Sequence, residues 1–250
     1  MKRSLLFLLF IVFCLSSSAQ ETNKLLKSIP VQQNPSLAND SLLAAYDLSP
    51  IWLYTQNSMV FGYIGEGYLR IRVKFITITK DKTANDVYHV YGKSMVKTNI
   101  TEFRGTLKIN HILKRITAGT DTAKYAITGE YNFAESRDLP HSGIFKGFFV
   151  SKIYIDKANK VHYDDIDLNA DSFANNQFTG DWNNYNNIQV QRCNWGDYRI
   201  PNSGDFDGGA GEFFPNSKYI SMGWQNVVDL NAGGEKGAQA KKEEEREWWK

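Results

Sequence analysis

The stretch "YLRIRVKFITITK" constrains the chain more than any other. Leu69, Ile71, Val73 and Phe75 fall on one face, and Arg70, Arg72 and Lys74 on the other. That period of two belongs to an extended strand with one buried face. Similar runs follow at "VYHVYGKSMV", "FRGTLKINH", "KYAITGEYNF" and "IFKGFFVSKIYID". "KANK" then turns the chain into "VHYDD", and further strands are predicted at 177–182, 188–193 and 218–228. Helical periodicity is almost absent. About ten strands with short links imply an all-β protein built as an antiparallel meander.

A second pattern says what shape the sheet takes. Phe103-x-Gly105-x-Leu107, Ile127-x-Gly129-x-Tyr131, Phe145-x-Gly147-x-Phe149 and Phe178-x-Gly180-x-Trp182 each set a glycine between two large apolar residues on one strand face. Glycine weakens a strand unless the backbone must bend or a neighbour must come close. Bends let a sheet curl and close, and closure removes its open edges. The expectation is a closed or strongly curved barrel, with a β-sandwich as the alternative.

The ends of the chain differ from its middle. Lys2 and Arg3 precede an unbroken apolar run from Leu5 to Leu15, and small residues lead to Ala19. This is the order of a secretory leader, with cleavage expected between Ala19 and Gln20. No later run approaches the roughly 20 apolar residues of a transmembrane helix. The protein is therefore expected to be exported to the periplasm, the cell surface or the medium, with no integral membrane segment. The chain has 29 basic and 27 acidic residues, and loss of Lys2 and Arg3 with the leader makes the two equal. Such a balance gives nucleic acid nothing to bind. Cys14 leaves too, so Cys193 has no partner for an internal disulfide. The expected division is a signal peptide at 1–19, an irregular arm at 20–56 with a short helix, a β-barrel domain at 57–230, and a flexible charged tail at 231–250. The tail's Trp248 and Trp249 suggest that it docks on an envelope partner.

Candidate chemistry concentrates in "CNWGDYRIPNSGDFDGGAGEF", read as a strand end and a glycine-loosened loop at the barrel mouth that returns to a last strand. Loops of that kind are where ligands enter. Trp195, Tyr198 and Arg199, with Trp182 of "NNQFTGDW", are the expected ligand contacts. Aromatic faces with amide side chains suit a glycan or a small amphipathic molecule. Arg199 is equally placed to clamp Asp197 or Asp205. Asp205, Asp207 and Glu212 are the calcium candidates, although the segment lacks a full EF-hand pattern. "DIDLNAD" places Asp165, Asp167, Asn169 and Asp171 at alternate positions but misses the central glycine and closing glutamate of such a loop. No other cofactor is implied. Cys193 lacks a protease signature and reads as a buried thiol. The four histidines are scattered, with no zinc spacing. Carboxylates between 197 and 212 also fit a carbohydrate hydrolase, which needs two of them held across a bond. The leading expectation is a non-enzymatic ligand-binding barrel. A cell-envelope interaction protein and a hydrolase are the alternatives.

Three segments, "VYGKSMVKTNITEFRGTLKI", "NNQFTGDW" and "CNWGDYRIP", resemble a family of uncharacterised secreted proteins of Bacteroidota, over roughly residues 59–225. That resemblance implies export and a β-rich fold, and carries no activity. The architecture is also similar to the calycins, the lipocalin and fatty-acid-binding barrels. In those the Gly-x-Trp motif sits on the first strand, and here Gly180-Asp181-Trp182 comes late.

Overall fold

The computed structural model of the chain describes residues 38–116, 123–185 and 190–250. The expected leader and its cleavage point lie outside these residues. Helices α1 (Ala38–Ala45) and α2 (Ser49–Leu53) come first. Nine strands follow: β1 (Val60–Ile64), β2 (Leu69–Lys80), β3 (Val87–Val96), β4 (Asn99–Lys114), β5 (Ala123–Glu135), β6 (Gly143–Ile155), β7 (Val161–Tyr163), β8 (Asn175–Asn184) and β9 (Val190–Asp197). All pairings are antiparallel. Eight strands close on themselves because β9 pairs with β1 and β5 pairs with β6, while β7 is an extra strand beside the end of β6. The fold is a closed all-β meander barrel.

The glycines show how so many rings fit inside. Gly92 pairs with Phe103, Gly105 with Phe133, and Gly129 with Phe149 across neighbouring strands. A Cβ on Gly129 would lie 2.1 Å from the Lys108 carbonyl oxygen and 2.6 Å from the Phe149 ring. On Gly105 it would lie 1.9 Å from the Asn132 carbonyl oxygen. Neighbouring backbones therefore approach closely at Gly105 and Gly129, and at Gly92 and Gly129 an aromatic ring takes the space a side chain would fill. Phe103 stacks on Phe133 with centroids 5.2 Å apart, and Phe178 stacks on Trp195 at 4.9 Å. Phe75 sits edge-on to Phe133 and Phe178. Interlocked edge-to-face and stacked rings are the favourable arrangements for aromatic side chains.

Both ends of the barrel are stoppered. At one end the chain through α2 inserts Trp52, which meets Tyr88 and Phe149 edge-on and donates its indole N–H to Ser151 Oγ at 3.0 Å. Pro50 starts α2, where its missing N–H costs nothing. At the other end Glu135 is buried and accepts from Ser94 Oγ, the Gly143 amide and Trp182 Nε1. Burial holds its carboxyl above the ordinary value.

A second, smaller core lies outside the wall. Phe61 and Tyr63 of β1 face outward and pack with Ile200, Phe206, Phe213, Trp224 and Val227. The segment expected to rim a mouth thus lies along the outer wall. It leads into a 3-10 helix (Ser217–Met222) and α3 (Gln225–Asp229), where the sequence predicts a strand at 218–228. Trp224 and Val227 are three residues apart and share one buried face, a helical spacing, and Gly223 at φ 98° turns the chain between the two helices. The final segment, expected as a flexible tail, carries α4 (Gly234–Glu245). Glu244 of α4 is buried against the barrel, and so is Trp248 beyond it. Among the described residues no helix is long and apolar enough to cross a membrane.

Candidate functional site

Site geometry begins at Asp197, the last residue of β9. Its Oδ2 accepts from Thr55 Oγ1 at 2.7 Å, Asn176 Nδ2 at 2.8 Å and Tyr163 OH at 3.0 Å. These donors come from the chain after α2, the start of β8 and the end of β7, so one carboxyl gathers four elements at the Trp52 end. Burial pushes Asp197 up to about 7, against the pull of its three hydrogen bonds and of nearby Lys74. A cavity of about 30 Å³ lies beside it, bordered by Trp52, Lys74, Phe75, Asn176, Trp195 and Asp197. Its size suits about one water molecule; small-molecule sites run to hundreds of Å³.

The surface above Asp197 is built of tyrosines. Tyr54 is 57% exposed, stacks on Tyr163 with centroids 4.6 Å apart, and donates its hydroxyl to Asp165 Oδ2 at 2.6 Å. That bond raises the Tyr54 pKa, with burial and the Asp165 charge adding to it. Tyr198 follows Asp197 directly. It adopts φ 65° and donates its amide to Met59 O at 2.8 Å, which sets its half-buried ring edge-on to Phe173. Tyr154 stacks on His162, whose Nε2 is 2.8 Å from Asp156 Oδ2. Lys152 sits over the Phe173 ring, and burial brings its amine down to about 8. Tyr154, Tyr163 and Tyr198 are all raised, first by burial, so every phenol of the cluster is protonated at neutral pH. The rim therefore offers flat ring faces, hydroxyl donors, and the carboxylates of Asp165 and Asp156 at its edge.

The four expected ligand contacts separate. Trp195 and Trp182 are buried in the barrel, at 2% and 7% exposure, Trp195 against Phe178 and Trp182 on Glu135. Their indoles build the core. Arg199 is the clamp the sequence offered as its other role, with a different partner. Its guanidinium donates to Asp207 Oδ2 at 2.9 Å and to the carbonyls of Gly209, Ala210 and Glu212. Only Tyr198 stands at the rim. Among the calcium candidates, Asp207 also accepts from the Gly209 and Phe214 amides, and Asp205 pairs with Lys218. Glu212 is exposed. Among the described residues no group of three or more His, Cys, Asp or Glu is placed to hold a metal ion. Cys193 is fully buried, and burial pushes its thiol far up.

Tyr54, Tyr163 and Asp165 come from segments that sequence reading treated as arm, hairpin end and metal loop. The one signal for Tyr54 was the aromatic "SPIWLYT" run at the end of the arm. No protein-family model, curated protein or solved structure matches this chain.

Proposed function

We propose that this protein is an exported, non-enzymatic barrel that binds a glycan on its outer rim, at the Tyr54–Tyr163–Tyr198 surface. One observation carries the reading. The exposed ring of Tyr54 is held rigid from below by Tyr163 and from its edge by Asp165. A fixed aromatic face covers the C–H face of a sugar ring, and a carboxylate beside it accepts the sugar's hydroxyls. Pre-ordering the ring lowers the entropy lost on binding. The packed lumen argues for the rim over the interior, because the cavity beside Asp197 is about 30 Å³. Export is supported by the apolar run from Leu5 to Leu15 behind Lys2 and Arg3, and membership of the Bacteroidota secreted group by "NNQFTGDW" and "CNWGDYRIP".

Glycan-panel binding with wild type and Tyr54→Ala tests this directly. The expected result is a wild-type ligand whose affinity falls about tenfold in the variant, equal to about 1.4 kcal/mol. Thermal stability should change little, since the ring is more than half exposed. A panel with no ligand, or a ligand indifferent to Tyr54, would sink the proposal. An envelope-protein partner is the second reading. Ile166 and Leu168, on the turn that begins at Asp165, and Leu53 are exposed beside Tyr54, and a partner bound there would need all of them.

A further inference from the structure

The barrel closes unevenly. β1 pairs with β9 through five residue pairs, but with β2 through only two, Tyr63 with Arg70 and Ile64 with Leu69. Below that point the two strands stay close without further ladder pairs, a Cβ on Gly62 lying 3.2 Å from Ile71 O, and Asn57 reaches across the seam by donating its side-chain amide to Val73 O at 2.8 Å. Along the outer face of β2 at this seam stand three cations in register: Arg70, Arg72 and Lys74. Side chains at alternate positions of one strand share a face.

The chain's own end lies on this row. Glu244 accepts from Arg70 at 2.5 and 2.8 Å and from Arg72 at 2.7 Å, and its side chain is 1% exposed. Arg72 also donates to the Glu243 carbonyl. Four residues beyond Glu244, Trp248 is buried and donates its indole N–H to Asn57 Oδ1 at 2.9 Å. Lys74 Nζ lies 5.0 Å from the Trp249 ring centre. A carboxylate for two guanidiniums, then an indole for the amide that bridges the seam, is a recognition pattern for a peptide.

Two glycines sit where α4 begins. Gly233 and Gly234 both adopt positive φ, and nothing lies within 4 Å of where their Cβ atoms would be. Of the twelve residues of α4, only Gly237, Ala240 and Glu244 are buried. Glu244 and Trp248 anchor its last turn and the segment beyond it, and near its start Lys236 pairs with Asp229 of α3 at 2.9 Å.

We propose that the β2 face at this seam is a docking groove for acidic peptides that carry an indole four residues after a glutamate, and that the chain's own tail fills it as a displaceable clasp. A partner segment of that chemistry would displace residues 241–250 and lift α4 about the two glycines. The groove reaches the cavity beside Asp197 at Asn57 and Lys74 but includes none of the rim tyrosines, so the two readings are tested by different variants.

The test is a titration of full-length protein with a fluorescent peptide of residues 241–250, KKEEEREWWK. Full-length Glu244→Gln loosens the resident tail, and the peptide keeps its own glutamate. Saturable binding at least tenfold tighter than to the wild-type chain is expected. A peptide with Gln at that glutamate, or with both tryptophans replaced by Ala, should lose at least tenfold. Equal or absent binding by a cooperatively folded Glu244→Gln chain overturns the proposal, as does equal binding of the control peptides. If Glu244→Gln does not fold, full-length Trp248→Ala takes its place, since it keeps the Arg–Glu pairs. No peptide binding there at excess peptide overturns the groove equally.

Discussion

Gly129 shows most plainly what one residue does here. A methyl group at this position would meet the Lys108 carbonyl oxygen at 2.1 Å and the Phe149 ring at 2.6 Å. A ring can turn aside, but a backbone carbonyl in a ladder cannot move without taking its strand along. Gly129→Ala should therefore destabilise by about 3 kcal/mol, toward the upper end of overpacking costs. Chemical denaturation measures it directly, and a loss under about 1 kcal/mol would show that the strand has slack. Gly67, with open space around its Cβ position, is the matched control, and Gly67→Ala should change stability little. The four glycine-centred motifs are visible in the sequence, and so is their meaning, because a glycine flanked by bulky residues on a strand requires a local reason. Which ring answers each glycine is not visible. Phe149 reaches Gly129 only through the register of β5 on β6, and registers between strands are set by the whole sheet.

Among the elements, strands were legible and connections were not. Residues 69–75 and 103–109 alternate cleanly, and a period of two has one interpretation. The segment at 218–228 carries apolar residues whose spacing fits either form over so short a run. The second core resolves it by demanding Trp224 and Val227 on one side. The tail misled for another reason. "KKEEEREWWK" is nearly all charge, and charge predicts solvent unless an opposite charge waits elsewhere. Arg70 and Arg72 wait about 170 residues away, on a strand face that sequence reading left to solvent. The rim was hidden in the same way, since Tyr54, Tyr163 and Tyr198 meet only after α2 is seated. That seating depends on Trp52, buried at 5% exposure between Tyr88, Phe149 and Ser151. Trp52→Ala should cost about 3–5 kcal/mol and leave Ser151 Oγ without its donor. It should also loosen the Tyr54–Tyr163 stack, so the variant would lose part of the glycan affinity that Tyr54→Ala removes. Stability and binding measured on both variants would separate the two effects. A folded Trp52→Ala chain with wild-type affinity would show that the rim stands without its plug.

The whole molecule carries a buried carboxyl at each end, and neither has an ion-pair partner in direct contact. Asp197 faces Thr55, Tyr163 and Asn176, with Lys74 as the nearby charge, and Glu135 faces Ser94, Trp182 and the Gly143 amide. Burial raises both. A raised carboxyl binds its proton more tightly folded than unfolded, so it favours the folded state while it is protonated. For Asp197 that contribution is complete below about pH 4, the unfolded value, and is lost as pH rises through about 7. Half-buried Asp81 and Asp156, held low by backbone and histidine hydrogen bonds, work the other way below about pH 4. Their effects are common to wild type and a variant, so a difference measurement removes them. Asp197→Asn keeps a carbonyl for the three donors and removes the titration. Relative to this variant, wild-type stability should fall between pH 4.5 and 7 by about 1 kcal/mol per pH unit, near the linkage limit of about 1.4. Denaturant midpoints at half-unit steps would show the two curves diverging toward alkaline pH. Parallel curves across that window would mean that Asp197 is ionised throughout, its three donors outweighing burial. The four elements it gathers would then be held by an anion rather than by an acid.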